Sequence, residues 1–312
     1  MREKEMSNKA LSIGVDVGGS HIACAAVSLQ RGKLLPDTLS RVDVDSMAGA
    51  EEIFSAWAQA FNATLENIDS ADLAGMGFAM PGPFDYRNGI SKMEHKFPDL
   101  YEKVIADELQ PLLDCDAPLP MRFLNDATSF AVGEAWLGRG QGARKVVAAT
   151  LGTGFGSAFI DNGVPVVERD DVPEEGCLWH LPYADGIADD YFTTRWFVNR
   201  FADVAGKDVS GAKVVSVAAR EGNAEALRVF VDYGRGMGGF LAPWLQKFAA
   251  DTVVLGGNIA GAYDLFGPAL EEACPGVCFD VSSLGENAAM IGAARLLDDE
   301  FWAQVSAQLP RI

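Results

Sequence analysis

The sequence lacks the features that would link it to a membrane, to nucleic acid or to an oxidising compartment. Its five cysteines are an odd number without a disulfide-like spacing, and 312 residues are enough to build a core without them. No run approaches the roughly 18 uncharged apolar residues that span a bilayer. The 25 basic and 44 acidic residues give a net charge of −19, which repels a phosphate backbone and anionic lipid. We expect a cytoplasmic protein with no nucleic-acid or membrane partner, and the charged start, Met1 to Lys9, does not resemble a secretory signal.

Several common catalytic and metal motifs are also absent. The sequence has neither a P-loop, GxxxxGK[ST], nor a nucleophile elbow, GxSxG. The three histidines are scattered, and Cys274 and Cys278 have no second ligand pair nearby, so a zinc site is not supported. The run from Gly234 to Gly239 matches GxGxxG, but no strand precedes it and the surrounding pattern is helical. It therefore predicts close helix packing, not a dinucleotide site.

Three apolar runs end in glycine-rich corners. The first two have the pattern of a strand, a tight turn and a returning strand, and they can be laid over each other at a constant offset. Glycine leaves backbone N–H groups uncovered, so a phosphate can approach the main chain. The corners are Gly18, Gly19 and Ser20; Gly152, Thr153 and Gly154; and Gly256, Gly257 and Asn258. They suggest two similar halves with a cleft between them and one nucleotide held from several sides.

Carboxylates stand beside two of the predicted strand ends. Asp16 precedes the first corner, where it can hold Mg²⁺ directly or through water, although an ordinary turn Asp has the same pattern. Asp126 follows a predicted strand and opens a predicted helix, the place where ligands collect in α/β sheets. It can accept the proton of an attacking hydroxyl in phosphoryl transfer. On spacing alone, helix N-capping explains Asn125 and Asp126 equally well.

Strand and helix patterns alternate along the chain, which predicts an α/β fold. Strands are predicted in the hairpin from Leu11 to Val27, and at Leu39–Val44, Leu73–Met80, Met121–Leu124, the hairpin from Val146 to Ile160, and Thr252–Leu255. Helices are predicted at Met47–Asn67, Tyr101–Leu113, Ala127–Leu137, Asp189–Ala205, Gly211–Glu221, Ala224–Phe248, Asn287–Leu297 and onward to about Gln308.

Five segments together resemble a known family. They are Gly14–Ser20, Pro81–Pro83, Leu124–Ala127 with Gly133 and Glu134, Leu151–Gly156, and Leu255–Asn258. Their order and spacing are similar to those of ROK proteins, named for repressors, open reading frames and kinases, within the sugar kinase, Hsp70 and actin superfamily. The resemblance implies two ribonuclease H-like domains, an actin-like ATPase fold, around a central cleft that takes ATP, Mg²⁺ and a sugar. The smaller domain is predicted at 1–124 plus about 297–312, and the larger at 125–296.

The resemblance also implies roles for individual residues. Asp16 resembles the metal-associated acid, acting through water, and Asp126 resembles the catalytic base. The corners at Gly18 and Gly152 resemble phosphate binders, and the corner at Gly256 a nucleoside contact. Asn125 resembles a ligand of a sugar hydroxyl, and Gly82, inside the Pro-Gly-Pro segment, belongs with the substrate site.

Two departures from the family pattern fall on the sugar side. Many members have Glu-x-Gly-His followed by a zinc loop, CxCGxxGC, and then Glu. Here Glu174 keeps the first position, but Cys177 stands where the histidine is expected, with His180 nearby. The zinc loop is missing, so no structural zinc is expected, and Asp189 replaces the last Glu. Glu174 and Asp189 are the remaining predicted sugar ligands, and either Cys177 or His180 takes the place of the histidine.

The sequence favours an ATP-dependent, glucokinase-like sugar kinase that acts on a hexose or related sugar. Family repressors carry a helix-turn-helix domain ahead of the first corner, and only about a dozen residues precede it here. The altered loop at Cys177 motivates an alternative, a catalytically silent sugar sensor. A sugar-independent nucleotide hydrolase is a third possibility, but it has no use for Asn125 and Asp126. The family suggests a homodimer.

Overall fold

The computed structural model describes residues 9–309, in which strands and helices alternate. The strands are β1 (Leu11–Val17), β2 (His21–Ser28), β3 (Lys33–Leu34), β4 (Ser40–Asp43), β5 (Leu73–Met80), β6 (Phe84–Asp85), β7 (Ile90–Ser91), β8 (Met121–Asn125), β9 (Lys145–Leu151), β10 (Phe155–Asp161), β11 (Val164–Pro165), β12 (Pro182–Tyr183), β13 (Gly186–Ile187), β14 (Thr252–Gly256) and β15 (Cys278–Val281). The helices are α1 (Ala50–Leu65), α2 (Ile105–Leu109), α3 (Asp126–Leu137), α4 (Ala188–Tyr191), α5 (Thr194–Ala205), α6 (Ala212–Arg220), α7 (Ala224–Phe248), α8 (Tyr263–Ala273), α9 (Asn287–Arg295) and α10 (Asp299–Gln308).

The chain divides into two compact units. Among the described residues, the first contains 9–137 and 287–309, and the second contains 138–286. The sequence placed the boundaries at 124/125 and 296/297, so the structure differs by moving α3 and α9 into the first unit. The ends of the predicted smaller domain, 1–8 and 310–312, lie outside the described residues, as does nearly all of the charged start at Met1 to Lys9.

The first unit is built on a mixed sheet with the strand order β3-β2-β1-β5-β8, and β4 also pairs with β2. β1 runs antiparallel to β2 and parallel to β5, which is parallel to β8. Apolar side chains of α1 and β5, among them Trp57, Phe61 and Phe78, are fully buried. Burial of these large aromatic rings fixes α1 on the sheet.

Glycines let α9 approach both the sheet and α3 at backbone distance. A Cβ added at Gly14 of β1 or Gly77 of β5 would collide with a carbonyl oxygen of α9. Likewise, a Cβ at Gly292 of α9 would collide with the Ser129 carbonyl of α3, and one at Gly133 of α3 with a carbonyl of α9. These contacts explain the small-residue composition of α9 and place α3 and α9 with the first sheet.

The second unit repeats the same arrangement by itself. Its main sheet has the order β11-β10-β9-β14-β15. β9 runs antiparallel to β10 and parallel to β14, which is parallel to β15. Each unit therefore contains a hairpin followed, on one side, by two parallel strands, as the superposable glycine hairpins predicted.

The glycine run on α7 serves helix packing, as predicted. A Cβ at Gly234 would collide with the Phe266 carbonyl of α8, and one at Gly238 would lie 2.6 Å from the Cβ of Ala273. The two glycines are four residues apart on one face of α7, so α8 lies directly against the α7 backbone.

Some predicted elements differ from the structure. The helix predicted at Tyr101–Leu113 is only α2 followed by a short 3₁₀ turn that contains Pro111, which limits its length. Helix α8 and strand β15 were not predicted, because α8 contains Gly267 and Pro268 and β15 is a short edge strand. Among the helices formed by residues 9–309, none is long and apolar enough to cross a membrane.

Candidate active site

The first glycine corner joins β1 to β2. Its turn is closed by a 2.9 Å hydrogen bond from the Gly18 N–H to the His21 carbonyl. Asp16 lies at the end of β1, half-buried, in register with Ala23 of β2 and with β5. Ser20 is exposed, and its hydroxyl lies 3.3 Å from His21 Nδ1. The structure therefore places the predicted metal-associated acid directly beside the predicted phosphate corner.

Asn125 and Asp126 occupy the end of β8 and the first turn of α3. Asn125 Oδ1 accepts hydrogen bonds from the Thr128 N–H at 3.1 Å and the Thr128 hydroxyl at 3.3 Å. Asn125 thus performs the N-capping role that its position also allowed. Its amide donates to Asp126 Oδ1 at 3.0 Å and to the Tyr86 hydroxyl at 3.3 Å. Asn125 therefore holds the Asp126 carboxylate in one orientation.

The environment of Asp126 favours its neutral form. Loss of solvation raises the pKa of the carboxyl above its ordinary value. The Ala127 N–H, the Lys96 charge and the Asn125 amide act in the opposite direction and offset only part of this increase. A carboxylate whose pKa is raised toward the working range is better suited to accept a proton. The Ala127 backbone N–H and the Asn125 side-chain amide both donate to Asp126 Oδ1.

Gly82 lies near the same group of side chains. The Gly82–Pro83 peptide bond is cis, and a Cβ at Gly82 would lie 3.3 Å from the Tyr86 hydroxyl. That hydroxyl donates to the Met80 carbonyl at 3.2 Å and accepts from Asn125. The first unit therefore groups Gly82, Asn125 and Asp126 around Tyr86, and their role as a substrate site stays a prediction. Its closeness in sequence to the Pro-Gly-Pro segment is the signal that could have identified it.

The second and third corners adjoin each other in the second unit. The Gly152 N–H donates to the Gly154 carbonyl at 3.1 Å, which closes the turn between β9 and β10. Gly257 adopts φ 81°, and a Cβ there would collide with the backbone of Leu151. Thr153, Gly154, Gly257 and Asn258 are exposed, whereas Gly256 is buried in β14. The backbone of the third corner thus lies against the end of β9, which leads into the second corner.

Asp189 is bound to the second corner. Its Oδ1 accepts from the Phe155 N–H at 2.8 Å, and its Oδ2 lies 3.6 Å from Arg195 Nη2. The carboxylate therefore already stabilises the turn that contains Gly154. Arg195, which the sequence analysis did not identify, brings a cation to the same turn.

Glu174 and Cys177 lie in a separate loop of the same unit. Glu174 is exposed, and the following Glu175 adopts a left-handed backbone conformation with φ 57°. The Cys177 thiol lies 3.7 Å from His180 Nδ1. Burial, with help from the nearby Glu175 charge, raises the pKa of this thiol to about 11, so it stays neutral near pH 7. The thiol is therefore not a reactive nucleophile at that pH.

Comparison with known proteins identifies relatives of the whole chain. The model of the ROK family matches residues 12–169. A glucokinase from Thermotoga maritima is 28% identical, over 92% of this chain and 97% of its own length. An N-acetyl-D-glucosamine kinase from Haemophilus influenzae is 25% identical, over 84% of this chain and 88% of its own length.

A solved structure with the same fold is the ROK family glucokinase from Streptomyces griseus in complex with glucose and AMPPNP. It is 25% identical, with a TM-score of 0.71, over 92% of this chain and 98% of that chain. The predicted fold class, an α/β protein with two ribonuclease H-like halves, is confirmed.

Proposed function

The chain belongs to the ROK family, and from this premise we propose that it is an ATP-dependent kinase of a sugar hydroxyl. The relatives that cover almost the whole chain are named as kinases of glucose and of N-acetyl-D-glucosamine, so a hexose or its N-acyl derivative is the substrate class. One observation carries the proposal. Asp126 is a half-buried carboxylate with a raised pKa, fixed at the carboxyl end of a strand in the group that contains Gly82 and Asn125.

Asp126 acts as the general base. Its carboxylate orients the sugar hydroxyl and takes the proton as the hydroxyl oxygen bonds to the terminal phosphorus of ATP. The bond from that phosphorus to the bridging oxygen breaks, and ADP leaves with the electron pair. The Ala127 N–H and the Asn125 amide keep the carboxylate in place throughout this step.

The glycine corners bind the nucleotide through their backbone. Phosphate oxygens accept hydrogen bonds from the N–H groups of Gly19 and Ser20 in the first unit, and of Thr153 and Gly154 in the second. Gly18 and Gly152 shape these corners, because their own N–H groups close the two turns. Gly256, Gly257 and Asn258 contact the nucleoside. Because such N–H groups need no reorganisation, they stabilise charge that develops during transfer.

The donor chemistry at the first corner fits Mg²⁺. Mg²⁺ in kinases keeps several waters and binds through one or two carboxylates together with substrate phosphates. Residues 9–309 contain no group of three or more His, Cys, Asp and Glu side chains suited to a metal, so Asp16 is the proposed protein contribution, through water. When bound, the ion would neutralise charge on the phosphates.

Sugar hydroxyls are proposed to bind to Asn125, Asp126, Glu174 and Asp189, with Gly82 lining the site. Carboxylates suit this role because each accepts two hydrogen bonds in a fixed plane. Asn125 and Asp189 already hold neighbouring groups in the structure, so they position the site while contacting substrate. The absence of nucleic-acid and membrane partners, a homodimer, and the absence of structural zinc remain predictions.

A sugar sensor without turnover is a second candidate function. The loop at Glu174 motivates it, because a neutral Cys177 paired with His180 stands where many family members have histidine. The sensor and the kinase differ in whether ADP is released.

The test is ADP release from Mg-ATP across hexoses, amino sugars and N-acyl sugars. We expect release that depends on one class of sugar. Asp126→Asn should lower kcat by about 10²–10⁴-fold, since the base is lost, while sugar affinity by calorimetry changes little. Asp116→Asn, an exposed carboxylate of the same unit, is the matched control and should leave kcat unchanged.

Two results would contradict the kinase. Sugar binding with no ADP release from any sugar would identify the sensor. ADP release that does not depend on sugar would identify the nucleotide hydrolase.

A further inference from the structure

The loop that precedes the 3₁₀ turn at Pro98–Leu100 is firmly anchored on both sides of Lys96. Met93 and Phe97 are buried in the core of the first unit. Phe97 adopts a left-handed conformation with φ 54°, and its ring packs edge-on against Trp57 at 5.7 Å between centroids. Its N–H donates to the Ser46 carbonyl at 3.1 Å. The backbone position from which the Lys96 side chain projects is therefore fixed.

The Lys96 side chain runs across the first glycine corner. A Cβ added at Gly19 would lie 3.0 Å from Lys96 Cε and 3.8 Å from Nζ. Gly19 thus leaves room for the lysine as well as exposing its own N–H. The ammonium group is half-buried and lies 6.0 Å from the Phe97 ring centroid.

Lys96 differs from the other lysines of this segment in its partners. Lys92 lies 3.9 Å from Glu102, and Lys103 lies 2.9 Å from Glu108. Lys96 forms no such ion pair with any carboxylate among residues 9–309. Its charge nevertheless reaches the general base, since it favours the ionised form of Asp126. The same cation therefore lies against the phosphate corner and acts electrostatically on the proton acceptor.

We propose that Lys96 is a catalytic residue that binds the terminal phosphoryl group of ATP while it is transferred. This inference rests on the proposed kinase function and deepens it. The ammonium donates hydrogen bonds to the phosphoryl oxygens, on which negative charge is concentrated. The proton of the sugar hydroxyl still goes to Asp126, and the electron pair of the broken bond still leaves with ADP.

The first readout is turnover of Lys96→Met, which keeps the length of the side chain and removes its charge. We expect kcat to fall by about 10²–10³-fold across the whole pH range, the usual effect of losing one charge-stabilising donor. Sugar affinity should stay within about threefold. Lys96→Arg should recover part of the loss, because it restores the charge. Lys92→Met, on the same loop and paired with Glu102, is the matched control and should retain wild-type kcat.

The second readout is binding without turnover. AMPPNP has the third phosphoryl group and ADP lacks it, so Lys96→Met should weaken AMPPNP by about tenfold, or roughly 1.4 kcal/mol, and leave ADP affinity unchanged. Calorimetry measures both in the absence of sugar. This comparison tests Lys96 even if no sugar supports turnover, so failure of the kinase proposal and failure of this one are distinguishable.

Two results would overturn the proposal. Equal weakening of AMPPNP and ADP, or of neither, would show that Lys96 does not bind the terminal phosphoryl group. A kcat that returns to the wild-type value at alkaline pH would show that Lys96 acts only on the ionisation of Asp126. Melting curves of each variant confirm that the fold is retained.

Discussion

At the scale of single residues, Asp126 combines a catalytic requirement with a cost in stability. Its carboxyl is held away from water, so the folded chain resists the ionised form that a general base needs. A group whose folded pKa is raised contributes stability below its unfolded pKa and loses it as pH rises through the folded pKa. At pH values above the unfolded pKa, the raised folded pKa of Asp126 therefore lowers the free energy of unfolding.

Asp126→Asn should consequently raise Tm at pH 7 while it removes activity. The Asn side chain has nearly the same shape and carries no charge to desolvate. The difference in Tm from the wild type should shrink as pH falls through the folded pKa of Asp126, and vanish below its ordinary value of 3.8. Thermal melting between pH 3.5 and about 8 would measure this.

Asp85 provides a control, because its pKa is shifted in the opposite direction from the pKa of Asp126. Burial by itself would raise its pKa, but hydrogen bonds from Asn88 and the Arg87 N–H outweigh burial and lower it. Its ionised form therefore stabilises the fold, and Asp85→Asn should lower Tm at pH 7, with a difference that shrinks as pH falls through the ordinary Asp range. Shifts of the same sign in both variants would contradict the explanation.

Sequence could predict the candidate residues that directly follow a strand, because the strand itself is visible as a short apolar run. The glycine corners and Asp126 follow strands directly, so spacing alone indicates them. Lys96 could not be predicted, because it reaches the first corner through a contact with Gly19 that is distant in sequence. Tyr86 was missed although it lies close in sequence to the Pro-Gly-Pro segment, because its contact with Asn125 is also distant. The N-capping of Asn125 was foreseen as an alternative, and the structure shows that Asn125 also donates to the Asp126 carboxylate.

At the scale of elements, glycine determines how closely helices pack. On α7, Gly234 faces the Phe266 carbonyl of α8, whereas a Cβ at Gly239 would meet no described atom within 4 Å. Gly234→Ala should therefore lower the free energy of unfolding by about 1–3 kcal/mol, since α8 must shift. Gly239→Ala should raise it by about 0.5–1 kcal/mol, because alanine favours a helix more than glycine does. Thermal or urea melting of the two variants compares them on one helix.

Equal destabilisation by both alanines would contradict this explanation, because only Gly234 faces α8 at backbone distance. A wild-type Tm for Gly234→Ala would show that the helices can separate at no cost.

Long periodic elements were predicted well, and short or interrupted ones were not. The predicted bounds of α7 and β5 agree with the structure to the residue. Helix α8 was missed because Gly267 and Pro268 interrupt its pattern. The domain boundaries moved because the backbone contacts of Gly133 and Gly292 decide where α3 and α9 belong. Such contacts join distant parts of the chain and leave no periodic signal in it.

At the scale of the whole molecule, one strand arrangement occurs twice. In both units, a hairpin with a glycine corner is followed by two parallel strands, β5 and β8 in the first and β14 and β15 in the second. The hairpin and the first parallel strand bring backbone N–H groups to one end of each sheet. The repeated arrangement explains why similar corners are found far apart in the sequence.

The net charge of −19 also acts at this scale, and it predicts how salt affects the reaction with MgATP, the proposed phosphoryl donor. MgATP is an anion, so the summed field of the protein opposes its approach, whereas the attraction proposed for the corners and Lys96 acts only at short range. The Debye length falls from about 30 Å at 0.01 M to about 10 Å at 0.1 M ionic strength, so added salt screens the repulsion first. We expect kcat/KM for MgATP to rise by about twofold over this range.

An uncharged sugar is the internal control, since its kcat/KM at saturating MgATP should stay constant. A fall in kcat/KM for MgATP with salt would show that local cations, rather than the net charge, govern the encounter.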